Sequence, residues 1–519
     1  MRRKSPRAAP CLAAALVLSL AAAFQPLHAS ENAARLDELA REAQRLSWEQ
    51  RFDEALAMYA EVLAADPQHE LARRERAKVL SWAKRYEESA AAFRALLAER
   101  PDDLEARVGL GKVLSWSGEY AAARREYERV LERAPDHPEA LLGIAQTLAW
   151  SGDLERARHA YRRAAGAATD PTAARTGLAY LDLWQGAAAE ARRTAEALAE
   201  RHPDSPEVQQ LLRATRDATA PWMAASWDRL DDSDDNLFTT ARIEAGTTLR
   251  SGPTVQLSYT DYDVETLDRN GSLRSLQGTV GYSPARGHSL QAMLGVDRLE
   301  SQGFDSANVT DWGLRWNFAL PETWRGTLDA RREPFRYSVP LIDNRIVIES
   351  LTFAANGPLG PRWRLSGTLS SWRLSDDNQR LSADLGLRQR LARGAHTLEA
   401  GLNLRLQDWD KDLDNGYFDP SDFRAWGVVA RAFGPVAGPA GLDYDVSAEF
   451  GLQSFDSQGL STSNDRYYLL TARLGWQATP YLRVEGFADG GSYASQGGAE
   501  WSYFRIGIQL RRRFGSGTP

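Results

Sequence analysis

Five tryptophans, Trp48, Trp82, Trp116, Trp150 and Trp184, stand 34 residues apart. The same run returns around them, as Leu80-Ser81-Trp82, Leu114-Ser115-Trp116-Ser117-Gly118 and Leu148-Ala149-Trp150-Ser151-Gly152. Small residues keep the spacing at Ala55, Ser89, Ala123, Ala157 and Ala191, and an aromatic followed by a proline recurs as Tyr59 and Pro67, Phe93 and Pro101, Tyr127 and Pro135. A fixed period of this kind constrains the fold strongly. One unit cannot bury its apolar face alone, so successive units must stack on a shared core. Within a helix-turn-helix unit the small residue lets paired helices approach, the aromatic fills the gap to the next unit, and proline stops the second helix. Each tryptophan is expected to pack between helices at the turn, with direct contact to a partner as the alternative, and Arg73-Arg74 and Arg124-Arg125 are expected on solvated outer faces.

The period and residue types resemble the tetratricopeptide repeat. The third unit places Leu110-Gly111, Ala123, Tyr127 and Pro135 at the consensus positions. The fourth drifts, with Pro171 two residues late, and the fifth has Ala195 in place of the aromatic, as suits a capping unit. About five repeats are expected over residues 30–215. The resemblance implies a concave surface for a protein partner.

A linker is expected over 216–223. From Trp222 the apolar spacing falls to two. Leu398, Ala400, Leu402, Leu404 and Leu406 alternate with Glu399, Asn403, Arg405 and Gln407, and Phe504, Ile506, Ile508 and Leu510 with Arg505, Gln509 and Arg511. Runs of ten residues or more suit tilted membrane-crossing strands, and their polar faces carry too many charges for a sandwich core. Tight links such as Ser251-Gly252-Pro253 and Asn356-Gly357-Pro358 alternate with longer polar ones such as Phe335–Asp343 and Trp409–Asp422. The expectation is a transmembrane antiparallel β-barrel of about 16 strands over 224–519, its weakest strands near Trp227 and Ile348. Trp312, Trp324, Trp363, Trp426, Trp476, Tyr481 and Trp501 are expected in interfacial aromatic girdles. The whole reads as an α-plus-β multidomain chain: an all-α repeat solenoid, then the barrel.

The first 29 residues read as a secretory signal peptide: Arg2, Arg3, Lys4 and Arg7, an apolar stretch to Phe24, and cleavage after Ala29. Cys11 is the only cysteine, so the mature chain holds neither disulfide nor thiolate site. The net charge of −7 falls to about −11 without those four cations, which disfavours nucleic acid as a partner. Mean hydropathy of −0.46 does not exclude a barrel, because lipid-facing and lumen-facing residues cancel in an average.

Chemistry-bearing motifs are sparse. His69, His137, His159, His202, His288 and His396 show no metal-ligand spacing, and no nucleophile elbow, P-loop or zinc-protease motif occurs. No catalytic, cofactor-binding or metal residue is assigned, although a dispersed carboxylate pair would serve an enzyme. Two acidic loops, Asp231–Asn236 and Asp408–Gly416, read as solvated. The second is weighed against a calcium loop, from which it departs because Gly416 is one place late and Ser421 replaces the closing glutamate. Of the lumen charges, Arg364, Arg388, Arg390, Arg405 and Arg473 are expected to pair with Asp384, Glu399, Asp445 and Glu485 across strands.

A tryptophan-rich repeat arm before a sixteen-strand barrel resembles the exopolysaccharide-export porins of the poly-N-acetylglucosamine and cellulose secretion systems, and the barrel resembles the YaiO-type outer-membrane domain. Gly416-Tyr417-Phe418-Asp419-Pro420 resembles the loop such barrels carry before a late strand. The resemblance implies an outer-membrane conduit for a neutral or amphoteric exopolysaccharide, with the arm in the periplasm holding a protein partner and no cofactor. Two other readings stay open: a non-conducting assembly protein anchored by its barrel, and an outer-membrane enzyme acting on lipid or glycan.

Overall fold

The computed structural model describes residues 32–320, 323–394, 396–413, 417–438, 440–457, 460–494 and 500–515. The expected signal segment and Gly416 lie outside them. The chain divides into two compact units, one through Leu178 and one from Ala179 onward.

The repeats are helical pairs: α1 (32–48) with α2 (Phe52–Ala65), α3 (Glu70–Trp82) with α4 (Tyr86–Glu99), α5 (Leu104–Trp116) with α6 (Tyr120–Arg133), α7 (Pro138–Trp150) with α8 (Leu154–Ala167), and α9 (Thr172–Trp184) with α10 (Ala188–Arg201). Left-handed residues at Gln50, Lys84, Gly118, Gly152 and Gly186 turn the chain after each tryptophan. The Glu119 amide then reaches back to the Leu114 carbonyl at 2.8 Å, closing the helix end. Asp103 caps α5 through the Ala106 amide at 2.9 Å, and the imidazoles of His69 and His137 accept the amides of Ala72 and Ala140. Two of the scattered histidines are therefore helix caps.

The repeat aromatics fill the inter-repeat gaps as expected. Tyr59, Phe93 and Tyr127 are fully buried. A Cβ on Gly111 or Gly143 would lie 2.7 or 2.3 Å from the Tyr127 ring, so glycine on two neighbouring helices makes room for one phenol.

Two expectations are corrected. The tryptophans are exposed: 68% for Trp48, 39% for Trp82, 41% for Trp116 and 43% for Trp150. Trp82, Trp116 and Trp150 each end a helix whose preceding three residues, such as Val113, Leu114 and Ser115, are already buried, and the next 100° of helical rotation carries the indole off that face. Arg73 and Arg74 are not free on a solvated face. Arg73 ties the two helices of its own repeat, to Glu99 at 2.7 Å, and Arg74 reaches the next repeat, to Asp103 at 2.9 Å.

No free linker follows. Helix α11 (Pro206–Thr219) runs on because Val208, Leu211, Leu212, Thr215 and Thr219 bury one face, and only Ala220 and Pro221 precede the first strand. Within the second unit, Arg286 of the turn after the fourth strand pairs with Asp182 at 2.6 Å, and the Gly287 amide donates to the Gln185 carbonyl.

Sixteen antiparallel strands close into a barrel. They are β1 (Trp222–Asp232), β2 (Leu237–Thr248), β3 (Thr254–Glu265), β4 (Asn270–Tyr282), β5 (Ser289–Ser301), β6 (Phe304–Ala319), β7 (Arg325–Pro334), β8 (Val347–Pro358), β9 (Trp363–Leu374), β10 (Gln379–Arg393), β11 (Thr397–Trp409), β12 (Ser421–Pro435), β13 (Leu442–Ser457), β14 (Leu460–Thr479), β15 (Leu482–Ala494) and β16 (Glu500–Arg513). Each pairs with its sequence neighbour, and β1 closes on β16 with Trp227 opposite Ile508. The strands expected near Trp227 and Ile348 are β1 and β8.

The alternation sorts the faces. Leu402, Leu404, Leu406, Ile506, Ile508 and Leu510 lie on the exposed outer wall, the surface a hydrocarbon layer would cover. Trp312, Trp363, Trp426 and Trp476 are exposed with them. Trp501 is a correction, since it shares the inward parity of Arg505 and its ring lies 6.4 Å from Tyr493 and 5.2 Å from Tyr503. Among the described residues no helix is long and apolar enough to cross a membrane.

Candidate functional site

The inner wall of the barrel concentrates the polar chemistry of the second unit. Because the side-chain period in a strand is two, each strand that turns leucines outward turns charges inward. In the closed barrel, inward residues far apart in sequence then meet. Arg405 on β11 lies 2.9 Å from Glu449 on β13, and Glu449 also accepts from the Tyr467 hydroxyl on β14 at 2.6 Å. Arg388 donates to Asn403 at 2.8 Å. Arg431 pairs with Asp445, Arg483 with Asp443 and Glu485, Arg505 with Asp489, and both Arg315 and Arg331 with Asp329.

The expected cross-strand pairing is present in part. Arg405 approaches Asp384 at 3.9 Å and Arg390 approaches Glu399 at 4.0 Å, at the edge of ion-pair distance. Asp445 takes Arg431 as its partner and Glu485 takes Arg483. Sequence reasoning missed Glu449 and Tyr467, the pair around which Arg405 is organised. The signal was their inward parity on β13 and β14, but only the register of β11 to β14 brings them to one point.

Two kinds of surface line the lumen. Between β2 and β7 a cavity of about 470 Å³ is bordered by Arg242, Glu244, Asp297, Asp311, Arg331 and Arg336, a wall of mixed charge. On the β14–β16 side the rings of Tyr467, Tyr493, Trp501 and Tyr503 follow one another at 5.9, 6.4 and 5.2 Å. Donors, acceptors and ring faces side by side bind a hydroxylated ligand by many weak contacts, while balanced arginines and carboxylates avoid holding one sign of charge.

At the barrel end opposite its two termini, two of the connections turn inward. The five-residue helix α12 (Val339–Asp343), between β7 and β8, buries Val339, Leu341 and Ile342. The loop motif before β12 does the same: Tyr417, Asp419 and Pro420 are buried, and Phe418 lies 5.0 Å from Phe455. The acidic stretch before it is exposed at Asp408, Asp410, Lys411 and Asp412, as expected of a solvated loop, and it is the segment 417–420 that packs. Its anchor is Asn378, fully buried in the β9–β10 turn, which donates to the Lys411 carbonyl at 2.9 Å and to Asp419 at 3.0 Å and accepts the Lys411 amide at 3.0 Å. Burial pushes the Asp419 carboxyl up to about 7, against the Leu413 amide bond that favours its charged form, with the charge of Asp412 adding to the rise. In the other acidic loop, the Asp232 carboxylate accepts the amides of Asp234 and Asn236 at 3.0 Å and so ties its own turn. Among the described residues no cluster of three acidic, histidine or cysteine side chains is placed to hold a metal ion.

Comparison with known proteins bears on the two parts differently. Residues 49–110, 83–146, 116–172 and 151–214 match the tetratricopeptide repeat family model. No curated protein matches the chain. A solved structure described as a bacterial polysaccharide outer membrane secretin is similar over 57% of this chain and 99% of its own, at 12% identity and a TM-score of 0.48. A thermophilic tetratricopeptide protein of Thermus thermophilus is similar over 35% of this chain and 98% of its own, at 18% identity and a TM-score of 0.32. MamA of Desulfovibrio magneticus is similar over 33% and 97%, at 19% identity and a TM-score of 0.28. The helical part of the chain is a tetratricopeptide-repeat array, and it is followed by a closed sixteen-strand antiparallel barrel.

Proposed function

We propose that the protein is an outer-membrane conduit for export of an exopolysaccharide, with the repeat array in the periplasm holding a protein of the same machinery. The observation that carries this reading is the closed sixteen-strand barrel with an apolar outer wall and an inner wall of paired charges, amides and aromatic rings. A closed barrel is one of the two structures able to satisfy every backbone group within a bilayer. Paired inner charges leave a hydrated surface with little net field, which suits a neutral or amphoteric polymer that must bind weakly and move on. The preceding tetratricopeptide array supplies a protein-binding element in the order such machinery requires, and export by this route needs no catalytic residue in the chain. The leading segment, read as a signal peptide, fits delivery across the inner membrane.

The test is the distribution of glycan in a deletion strain. Loss of polymer from the cell surface with accumulation in the periplasm is the expected result, restored by the intact gene. An unchanged distribution overturns the reading. A second reading, a barrel that only anchors the arm, draws on the inward-packed connections at one mouth.

A further inference from the structure

We propose that the β7–β8 connection and the inward half of the β11–β12 connection are the two leaves of a gate across the distal mouth, the end of the barrel opposite its termini, and that they part along the contact between Phe335 and Tyr417. The inference rests on the barrel being a conduit and not on which polymer it carries.

The wall is prepared for the first leaf. Along β3 the inward residues are Ser258 and Thr260 and then, toward the distal end, Tyr262 and Val264. Leu273 on β4 and Leu299 on β5 continue that apolar patch, and all four side chains are at most 6% exposed. Apolar side chains facing a hydrated lumen are costly unless covered, and the cover is Val339 and Ile342 of α12. Gly271 lies beneath them in a tight place: a Cβ there would be 3.0 Å from the end of the Ile342 side chain. Polar ties fix the same leaf. The Tyr262 hydroxyl donates to the Arg336 carbonyl at 2.7 Å, Arg269 pairs with Asp343 at 2.9 Å, and Arg345 donates to the Asp305 carbonyl at 3.2 Å.

The second leaf is tied to a different wall. Asn378 holds Lys411 and Asp419, and the Tyr417 hydroxyl donates to Asp376 at 2.9 Å. Behind it stand the inward indoles of Trp372 and Trp409, with the Arg380 guanidinium over Trp372.

Where the leaves meet, the contact changes character. The Phe335 and Tyr417 rings are 5.3 Å apart, with Leu341 and Ile346 in the same cluster. Hydrogen bonds secure each leaf to its own wall, joined in the first leaf by an ion pair, whereas ring contacts join the leaves. Separating rings costs apolar contact but strands no buried donor, so this junction yields before either anchor does. An apolar constriction of this kind also blocks water and ions when closed.

Planar-bilayer recording of the purified full-length protein tests the gate. One variant replaces residues 337–344 by a short glycine linker, and a second is Phe335→Ala, which leaves the strap and its ties in place. Folding is checked by heat-modifiable mobility on gels. The expected result is a several-fold rise in mean conductance for the excised variant and more frequent openings for Phe335→Ala. If the excised barrel misfolds, Phe335→Ala alone decides. Wild-type conductance already equal to that of the excised barrel, or a folded excised barrel that conducts no better, overturns the gate. A rise on excision with no effect of Phe335→Ala overturns the seam. Because conductance is read without glycan, a failed gate and a failed export reading are told apart.

Discussion

The repeats and the barrel place the same residue types in opposite ways. In the repeats, aromatics such as Phe93 and Tyr127 fill the interior and pairs of opposite charge stitch neighbouring units on the outside, as Lys112 does to Glu139 at 2.7 Å. In the barrel the leucines are outside and the pairs are inside, as with Arg405 and Glu449. The solvent explains the inversion. A helical pair in water gains by hiding apolar surface, whereas a barrel in a bilayer meets hydrocarbon outside and water within. The difference also separates two kinds of coupling. Each repeat touches its neighbours alone, so damage there stays local, while every strand of a closed sheet depends on the register of all the others.

The largest expected effect breaks the repeats and spares the barrel. Tyr127→Ala empties the gap lined by Gly111 and Gly143 and should destabilise the array by about 3–5 kcal/mol. Thermal circular dichroism should show the helical signal melting earlier while the heat-modifiable mobility of the barrel is unchanged. Loss of both together would contradict local coupling.

An intermediate effect lies in the distal loop and depends on pH. The Asp419 carboxyl is raised by burial to about 7 when the loop is packed, above its ordinary value near 4. A folded value raised above the unfolded one means that the packed loop is favoured fully at acid pH and that the benefit is lost as pH rises through about 7. The charge facing Asp419 is that of Asp412 in its own loop, and the Asn378 amide that donates to Asp419 also meets the Tyr417 hydroxyl, itself bonded to Asp376 of the neighbouring turn. The open fraction in bilayer recordings should therefore rise between about pH 5 and about pH 8, and Asp419→Asn should flatten that rise. A wild-type profile without slope would show that the packed loop is indifferent to this proton.

The smallest expected effect sharpens the contrast within the repeats. Trp116 is 41% exposed and lies off the buried face of α5. Trp116→Ala should change helical stability by only about 0.5 kcal/mol, as for other surface replacements. A loss approaching that of Tyr127→Ala would mean that the indole carries packing its exposure does not reveal.

Much of this architecture is legible in the order of residues. The repeat period locates the helices to within a few residues, because small, aromatic and proline positions each answer a local need of a helical pair. Alternation locates the strands and their two faces. The tryptophans show where pattern stops short: a repeated residue is constrained, but repetition does not say whether the constraint is burial. Residues 335–343 read as a polar link, although Phe335, Val339, Leu341 and Ile342 mark them as a segment seeking cover. The polar neighbours Ser338, Asp343 and Asn344 hide that signal.

The linear order of residues settles the part of the structure governed by local geometry. A period of 34 gives helical pairs, and a period of two gives a sheet with one face for lipid and one for water. Only the closed fold settles which carboxylate meets which arginine, which wall receives α12, and where Tyr417 comes to rest. Those outcomes join Arg405 to Glu449 and Tyr262 to the Arg336 carbonyl, residues 44 and 74 positions apart. The first contact needs β11, β12 and β13 in register, and the second needs the sheet to curve until the β7–β8 connection reaches β3.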